Sequence, residues 1–258
     1  MVKLPQPSLT TTPGNRWLGK AIDTVKTLII AIVIALLFRT FLYEPFNIPS
    51  ASMEPTLDVG DYILVSKFAY GYGAASLPFD LPLFPGRIFF NPPHRGDVVV
   101  FKFPRNDTTD YIKRVVGLPG DRIQVKQGVL YINGAPVQRR RIGDYLFHTD
   151  GVTIPATEYL ETFPNGESHD ILEFDEEGPF ENTPVFVVPA GHYFVMGDNR
   201  DDSADSRVPN SGVGFVPADN LVGRAEFIFF SVGGSSPAWE FWKWPFEIRW
   251  GRLFTDID

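Results

Sequence analysis

A run of twelve strongly apolar residues near the start of the chain constrains this protein more than any other feature. The run, TLIIAIVIALLF, occupies residues 27–38 and lies between Lys26 and Arg39. Twelve residues are too few to cross a bilayer, but the wider segment 21–43 keeps its few charges within a turn or two of its ends. The segment therefore predicts a single membrane-spanning helix, which the following Glu44-Pro45 pair should end.

Two other readings of this run fit less well. A cleavable leader would carry small residues at a cleavage site just after the apolar run, where Leu37, Phe38 and Arg39 stand instead. A buried helix of a soluble core would normally keep a polar face, and this run has none. The positive-inside rule orients the helix, because four basic residues precede the apolar run 27–38 and only Arg39 lies in the twenty residues after that run. We therefore expect the N-terminus in the cytoplasm and everything after Tyr43 outside.

Composition excludes several classes of chemistry. The 258-residue chain has no cysteine, which removes thiol nucleophiles, disulfides, iron-sulfur clusters and cysteine zinc sites. Its net charge of −8 argues against a nucleic-acid partner. The negative charge is also localised, because residues 142–190 hold eleven acids and neither Lys nor Arg. This stretch predicts an acidic, surface-exposed module set into a mildly basic body.

Short β-type runs separated by turn residues fill most of the chain after the anchor. We predict strands at 62–65, 97–103, 111–116, 122–125, 129–132, 185–188, 192–196 and 225–230. The fold class is therefore mainly β: an N-terminal transmembrane helix followed by an antiparallel β catalytic domain with an inserted β-rich cap. The predicted domains are a disordered cytoplasmic tail at 1–16, the anchor at 17–44, a catalytic β core at 45–121 and 191–258, and an acidic cap at 122–190.

The C-terminal segment is rich in tryptophan. Trp239, Trp242, Trp244 and Trp250 fall within twelve residues. They indicate either an aromatic flap packed on the domain or a surface that rests in the bilayer interface.

Three polar segments interrupt the β pattern, and the first lies just beyond the membrane exit. PSASMEPTL, residues 49–57, places Ser50 and Ser52 between prolines. Prolines restrict the backbone, so such a loop can hold a hydroxyl group and its own N–H in a defined pose. Taken alone, the string also fits an ordinary Ser/Pro connector.

The second segment, YIKRVVGLPGD at 111–121, places two cations inside an apolar strand. Period-two alternation assigns Lys113 and Arg114 to opposite faces, so one of them must point toward a core. A buried Lys can give up its proton, whereas an Arg cannot. If Lys113 is the inward residue, we expect its pKa to fall from about 10.4 to roughly 8, which suits a general base for a serine. The alternative is a solvated edge-strand lysine.

The third segment, GDNRDDSADSR at 197–207, is too polar for a strand but rich in residues that bond their own backbone. Asp205 and Arg207 could form a structural pair, with the Ser203 hydroxyl pointing inward. The alternative is a solvated loop. A calcium site fits poorly, because Ser206 and Gly212 stand where the loop glycine and the bidentate Glu belong. The four histidines are scattered singly, and we predict no metal and no cofactor.

Together and in this order behind an N-terminal anchor, these segments resemble the bacterial type I signal peptidases, membrane-bound Ser-Lys endopeptidases that remove signal peptides. The resemblance covers most of 40–232 and includes FNIPSASM at 46–53, GDYILV at 60–65 and RGDVVVF at 95–101. Asp202 departs from the family pattern, which usually has Asn there.

The resemblance implies a role for each residue of the predicted site. Ser52 would be the nucleophile, Lys113 the general base and Ser50 an oxyanion-hole donor alongside the Ser52 N–H. Ser203 would orient the Lys113 amine, while Asp205 and Arg207 hold the site together. Shallow apolar pockets for small substrate side chains, giving Ala-x-Ala specificity, would be lined by Phe46, Ile48, Leu57, Ile63, Tyr111 and Ile112.

The implied partners are signal-peptide-bearing preproteins and the phospholipid bilayer of the inner membrane, near the secretion translocon. Two rival functions stay open on the sequence. One is a self-cleaving Ser-Lys protein of the SOS type, although a membrane anchor replaces its DNA-binding or soluble N-terminus. The other is a non-enzymatic anchored β domain, in which Lys113 would titrate normally.

Overall fold

The structure, a computed structural model, describes residues 13–77, 85–149, 152–174, 178, 180–208, 212–233 and 242–257. It divides the chain into two compact units, residues 1–39 and 40–258. Helix α1 dominates the first unit, and β-strands dominate the second.

Helix α1, Pro13–Phe41, is the predicted membrane segment. Its stretch Gly19–Phe41 is long and apolar enough to cross a membrane, and none of it is buried within the protein. The hydroxyl groups of Thr24 and Thr27 donate to the carbonyls of Lys20 and Asp23, four residues back, which satisfies them inside the helix. The helix begins inside the predicted tail, because proline is tolerated in a first helical turn. The rest of that tail, residues 1–12, lies outside the described residues.

Three antiparallel sheets form the second unit, as the fold-class prediction requires. The strands are β1 Tyr43–Asn47, β2 Asp61–Ser66, β3 Val98–Lys102, β4 Asp110–Gly117, β5 Arg122–Lys126, β6 Val129–Ile132, β7 Ala135–Pro136, β8 Gln138–Thr149, β9 Val152–Thr162, β10 Ser168–Glu173, β11 Phe186–Val187, β12 His192–Met196, β13 Val216–Pro217, β14 Leu221–Ser231 and β15 Thr255–Asp256. A short helix α2, Trp244–Glu247, lies near the C-terminus.

The largest sheet carries the functional segments. Its order is β1-β2-β14-β3-β4-β12-β13, and β15 also pairs with β14. The two smaller sheets have the orders β10-β9-β8 and β11-β5-β6-β7. Strand β4 lies between β3 and β12, with Lys113 opposite Val99 and Arg114 opposite Val98. Both cations therefore lie in the middle of a sheet, where long side chains cannot easily reach water.

All eight strands predicted from alternation are present, with ends that differ by a few residues. Strand β1 was missed, because Pro45 was taken only as the end of the helix, although an edge strand tolerates proline. The strands of the acidic segment, β8 to β10, were expected only as an unspecified β cap.

The acidic segment is not uniformly solvated, which corrects the prediction of an exposed module. Glu161 on β9 and His169 on β10 are buried opposite each other. Glu161 is tolerated there because the Arg200 guanidinium donates two hydrogen bonds, of 2.9 and 2.5 Å, to its carboxylate. The sheet β8-β10 therefore buries part of its charge against the 197–207 segment.

The described part of the tryptophan-rich C-terminus is largely exposed. The side chains of Trp242 and Trp250 are exposed, whereas Trp239 lies outside the described residues. Two arginines nevertheless tie this segment to the loop before β2. Arg249 and Arg252 form ion pairs with Asp58 and with the buried carboxylate of Asp61.

Candidate active site

The turn between β1 and β2 holds the predicted nucleophile. Backbone hydrogen bonds from Glu54 to Ala51 and from Leu57 to Met53 close this turn. Met53 and Leu57 are completely buried, so they fix the turn to the core, while Ser52 is only 9% exposed. Ser50 is exposed, and its Oγ lies 3.5 Å from Ser52 Oγ. The two hydroxyl groups therefore face the same small space.

Lys113 reaches this turn from the middle of β4. Its Nζ lies 2.6 Å from Ser52 Oγ and donates a 2.8 Å hydrogen bond to the carbonyl of Ile112. The side chain is 3% exposed. The amine and the hydroxyl are therefore within direct proton-transfer distance, with little room for water between them.

Burial lowers the pKa of Lys113 to about 8, because removal from water disfavours the ammonium form. The carboxylates of Asp205, Asp198 and Asp202 oppose this shift, and the Arg207 cation adds to it. At pH 7 about a tenth of a group with such a pKa is neutral. The structure thus gives Lys113 the lowered pKa that the sequence predicted for an inward-facing lysine.

Arg114 is also buried, although strand alternation alone requires only one of the two cations to face a core. Asp198 compensates its charge through hydrogen bonds of 2.9 and 2.8 Å. Thr56 of the serine turn donates a 2.6 Å hydrogen bond to the same carboxylate. This buried pair therefore connects β4, the 197–207 segment and the turn that carries Ser52.

Asp205 and Arg207 form the predicted pair, with Arg207 donating to both carboxylate oxygens of Asp205. Burial alone would raise the pKa of Asp205, but the Arg207 guanidinium outweighs it and holds that pKa below its usual value. Asp205 also accepts a hydrogen bond from the Gly197 N–H. The pair therefore closes the 197–207 segment on itself.

Ser203 is buried, as predicted, but its hydroxyl has no hydrogen-bond partner within the described part of the chain. A bond from Ser203 to the Lys113 amine is therefore not observed. Gly197 lies beside this hydroxyl, and a Cβ added there would overlap both Ser203 Oγ and the Ser52 carbonyl oxygen. The close approach of these backbones explains why glycine occupies this position.

Five of the six predicted pocket residues belong to one apolar cluster around Met53. Ile48, Leu57 and Ile63 are buried in it, and Phe46 and Ile112 pack against it half-exposed. The sixth, Tyr111, belongs to a different cluster and stacks on Phe103 with a ring-centroid distance of 4.8 Å. The Lys113 Nζ lies 5.9 Å from the Tyr111 ring centroid. The apolar cluster thus adjoins the serine turn directly.

Sequence reasoning missed a buried histidine, His169, beside the Glu161–Arg200 ion pair. His169 is stacked on Phe163, and its Nε2 lies 3.5 Å from Glu161 Oε2. Burial and the nearby cations Arg114 and Arg200 lower the pKa of His169 to about 3, so the ring is neutral. No sequence signal marked this histidine, because its partners lie far away in the chain. The described residues contain no group of three or more His, Asp or Glu side chains that could hold a metal ion.

Comparisons with known proteins identify the family of this chain. The family model described as signal peptidase, peptidase S26, matches residues 21–230. The signal peptidase I of Rickettsia conorii is 40% identical over 243 residues, covering 88% of this chain and 89% of that protein. The signal peptidase I of Rickettsia akari is 41% identical over 243 residues, again covering 88% and 89%. A solved signal peptidase I from Enterococcus faecalis V583 is 29% identical, covers 52% of this chain and 97% of its own, and gives a TM-score of 0.31.

Proposed function

Because this chain belongs to the signal peptidase family, peptidase S26, we propose that Ser52 and Lys113 form the dyad with which it cleaves signal peptides from preproteins. The protein is a serine endopeptidase with an N-terminal helix suited to anchoring it in a membrane. One observation carries the assignment of the dyad: Lys113 Nζ lies 2.6 Å from Ser52 Oγ in a buried setting that favours the neutral amine.

The proposed reaction has two halves. Neutral Lys113 takes the proton of the Ser52 hydroxyl as Oγ attacks the carbonyl carbon of the scissile peptide. The tetrahedral intermediate collapses, the C–N bond breaks, and the Lys113 ammonium returns its proton to the leaving amine. Lys113 then deprotonates a water molecule, which attacks the carbonyl carbon of the acyl-enzyme. The bond from that carbon to Ser52 Oγ breaks, the Lys113 ammonium returns the proton to Oγ, and the second product leaves.

The negative charge of the intermediate requires donors that are already in place. We assign this role to the Ser50 hydroxyl and the Ser52 backbone N–H. The 3.5 Å separation of the two serine Oγ atoms supports the assignment, because Ser50 lies beside the attacking atom. Donors aimed at an oxyanion act in the transition state and contribute about 10²–10³ to kcat each.

We assign substrate selection to the apolar cluster around Met53 and to Tyr111, which precedes Ile112 on β4. The pockets would be shallow, because three of the residues that line them are buried side chains that fill the space below the surface. The lining residues of the cluster are Phe46, Ile48, Leu57, Ile63 and Ile112. Such pockets fit small side chains at the first and third positions before the cut, which is Ala-x-Ala specificity. The dyad would be supported by three residues of the 197–207 segment, Ser203, Asp205 and Arg207.

The place of the enzyme in the cell follows from the charges around α1. The excess of basic residues before the apolar run 27–38 supports a cytoplasmic N-terminus in the inner membrane, with the catalytic part on the outer side. Within that part, 45–121 and 191–258 would form the catalytic core and 122–190 the cap. A preprotein leaving the secretion translocon and still held in the bilayer would then meet the site at high effective concentration.

The dyad is tested by cleavage of a synthetic preprotein with detergent-solubilised protein. Ser52→Ala and Lys113→Ala should each abolish cleavage, whereas Ser168→Ala and Lys126→Ala, at exposed positions on β10 and β5, should retain it. Full cleavage by either dyad variant would show that the assignment is wrong. A mass spectrum of the incubated wild-type chain distinguishes processing of the preprotein from self-cleavage.

A further inference from the structure

The segment 198–200 lies between two parts of the fold. One is the turn between β1 and β2 that carries Ser52, here called the serine turn, and the other is the sheet β10-β9-β8, here called the cap sheet. On one side, the Asn199 backbone N–H donates a 3.3 Å hydrogen bond to the carbonyl of Ser52. Its side-chain Nδ2 donates a second 3.3 Å hydrogen bond to the carbonyl of Ala51. One residue therefore holds the carbonyl groups of both peptide units that flank the Ser52 Cα.

Asn199 is itself fixed from several directions. It is completely buried, and its Oδ1 accepts a 3.2 Å hydrogen bond from the Asp202 N–H, which orients the amide so that Nδ2 faces Ala51. On the cap side, the Leu172 N–H donates to Asp198 O and the Arg200 N–H donates to Leu172 O, both at 2.9 Å.

The neighbours of Asn199 on either side are both locked into buried ion pairs. Asp198 is paired with Arg114, and Arg200 is paired with Glu161 of the cap sheet. Charged side chains that are buried and paired in this way cannot shift without exposing an uncompensated charge. Asn199 is therefore presented to the serine turn by a rigid frame.

The hydrogen bond from Asn199 to the Ala51 carbonyl also orients the Ser52 N–H, because both groups belong to one planar peptide unit. A trans peptide is planar, and its C=O and N–H point in opposite directions. The Ala51 carbonyl and the Ser52 N–H belong to the same peptide unit. Two donors hold the Ala51 oxygen, the Asn199 side chain and the Glu54 backbone N–H at 3.0 Å. Together they aim the Ser52 N–H to the opposite side of that unit. The backbone bond to the Ser52 carbonyl fixes the following unit in the same way.

We propose that Asn199 is a positioning residue that fixes both peptide units flanking Ser52 and thereby aims the Ser52 N–H at the oxyanion. This inference rests on the proposed function of Ser52 as nucleophile. The 197–207 segment would then orient the oxyanion donor directly. The cap sheet would hold that segment in place through the hydrogen bonds of Leu172.

The test compares three variants in the full-length, detergent-solubilised enzyme. Asn199→Asp keeps the shape and the acceptor for Asp202 but removes the donor to Ala51, and Asn199→Ala removes the whole side chain. The matched control is Asn220→Ala. Asn220 Nδ2 likewise donates to a backbone carbonyl, at 3.0 Å, but that carbonyl belongs to Lys102 rather than to the serine turn.

We expect both Asn199 variants to lower kcat by about 10- to 100-fold, with KM within about threefold of wild type, because misaiming an oxyanion donor weakens only the transition state. Acylation of Ser52 by a serine-directed inhibitor should slow by the same factor. In Asn199→Ala the acidic limb of the pH–rate profile should stay near pH 8, since this substitution adds no charge near Lys113. Asn220→Ala should leave kcat unchanged.

Three results would overturn the inference: a kcat within threefold of wild type in a folded Asn199 variant, the same loss of kcat in Asn220→Ala, or an acidic limb that shifts in the neutral variant Asn199→Ala, which would mean that Asn199 acts through Lys113. If Asn199→Ala does not fold, Asn199→Asp decides the question. Failure of the proposed function is a separate result, because it would show as full cleavage by Ser52→Ala.

Discussion

The guanidinium of Arg114 donates hydrogen bonds to both carboxylate oxygens of Asp198, although neither side chain reaches solvent. This pair explains how one strand can bury two consecutive cations. The buried charge of Arg114 is compensated by a dedicated carboxylate. Lys113 has no ion-pair partner among the described residues and reacts to burial by a lowered pKa. Both cations are removed from water, but Arg114 is compensated by an ion pair and Lys113 by a lowered pKa.

Asp198→Asn should strongly destabilise the protein, because it leaves the Arg114 charge buried without compensation. We expect a loss of about 3–5 kcal/mol in the free energy of unfolding, measured by urea denaturation. Asp144→Asn is the control, since its pair with Arg141 is exposed and should contribute less than about 1 kcal/mol. A loss below 1 kcal/mol for Asp198→Asn would contradict the role of the pair.

The rate of cleavage should follow the deprotonation of Lys113. With a pKa of about 8, kcat/KM should rise nearly tenfold per pH unit below pH 7 and level off above pH 9. The measurement is a pH–rate profile with a substrate that does not titrate in this range. A flat profile between pH 6 and 9 would be incompatible with a lysine base.

Replacing Lys113 by the uncharged Met should stabilise the fold while abolishing activity. The folded-state pKa of Lys113 lies below its unfolded value of 10.5, so the buried charge costs stability at every pH below about 8. A shift of this size corresponds to about 3 kcal/mol. The gain of Lys113→Met over wild type should be full at pH 7 and fade between pH 8 and 10.5. Urea denaturation at pH 7 and pH 10 tests this, and a gain that grows with pH would refute it.

Gly197→Ala should impair catalysis more than its size suggests. The added Cβ would overlap the Ser52 carbonyl oxygen and Ser203 Oγ, so the serine turn or the 197–207 segment must move. We expect kcat to fall at least about tenfold, because small displacements of a nucleophile are costly. Gly251→Ala is the matched control, since nothing lies within 4 Å of the Cβ it would introduce. Equal activity of the two variants would show that the close approach is unimportant.

Much of this architecture could be predicted because local patterns encode it. The twelve apolar residues predict α1, and period-two alternation predicts the strands of the main sheet. The burial of Lys113 could also be inferred, because a cation in the middle of an apolar run has to be accommodated. The sequence resemblance then assigns Ser52 to the same site, 61 positions away from Lys113.

The remaining features depend on contacts that no local pattern records. Glu161 and His169 lie on strands β9 and β10. The alternating sequence pattern of these strands would be the same if the cap were solvated, so it does not predict that the two side chains are buried. Glu161 is buried against Arg200, which reaches it from another part of the chain, and His169 lies beside Glu161. Asn199 was part of a recognised segment, but its function depends on which carbonyls it faces. Such partners become visible only when the backbone is folded.

The sequence separations within the site have a consequence for the timing of activity. Ser52 and Lys113 are 61 residues apart, and Asn199 bonds Ala51 across 148 residues. Contacts of such separation form late, because the chain must first lose the entropy of closing long loops. A nascent or partly assembled chain therefore contains Ser52 and Lys113 without the proposed dyad. In the proposed mechanism, hydrolysis requires the finished fold.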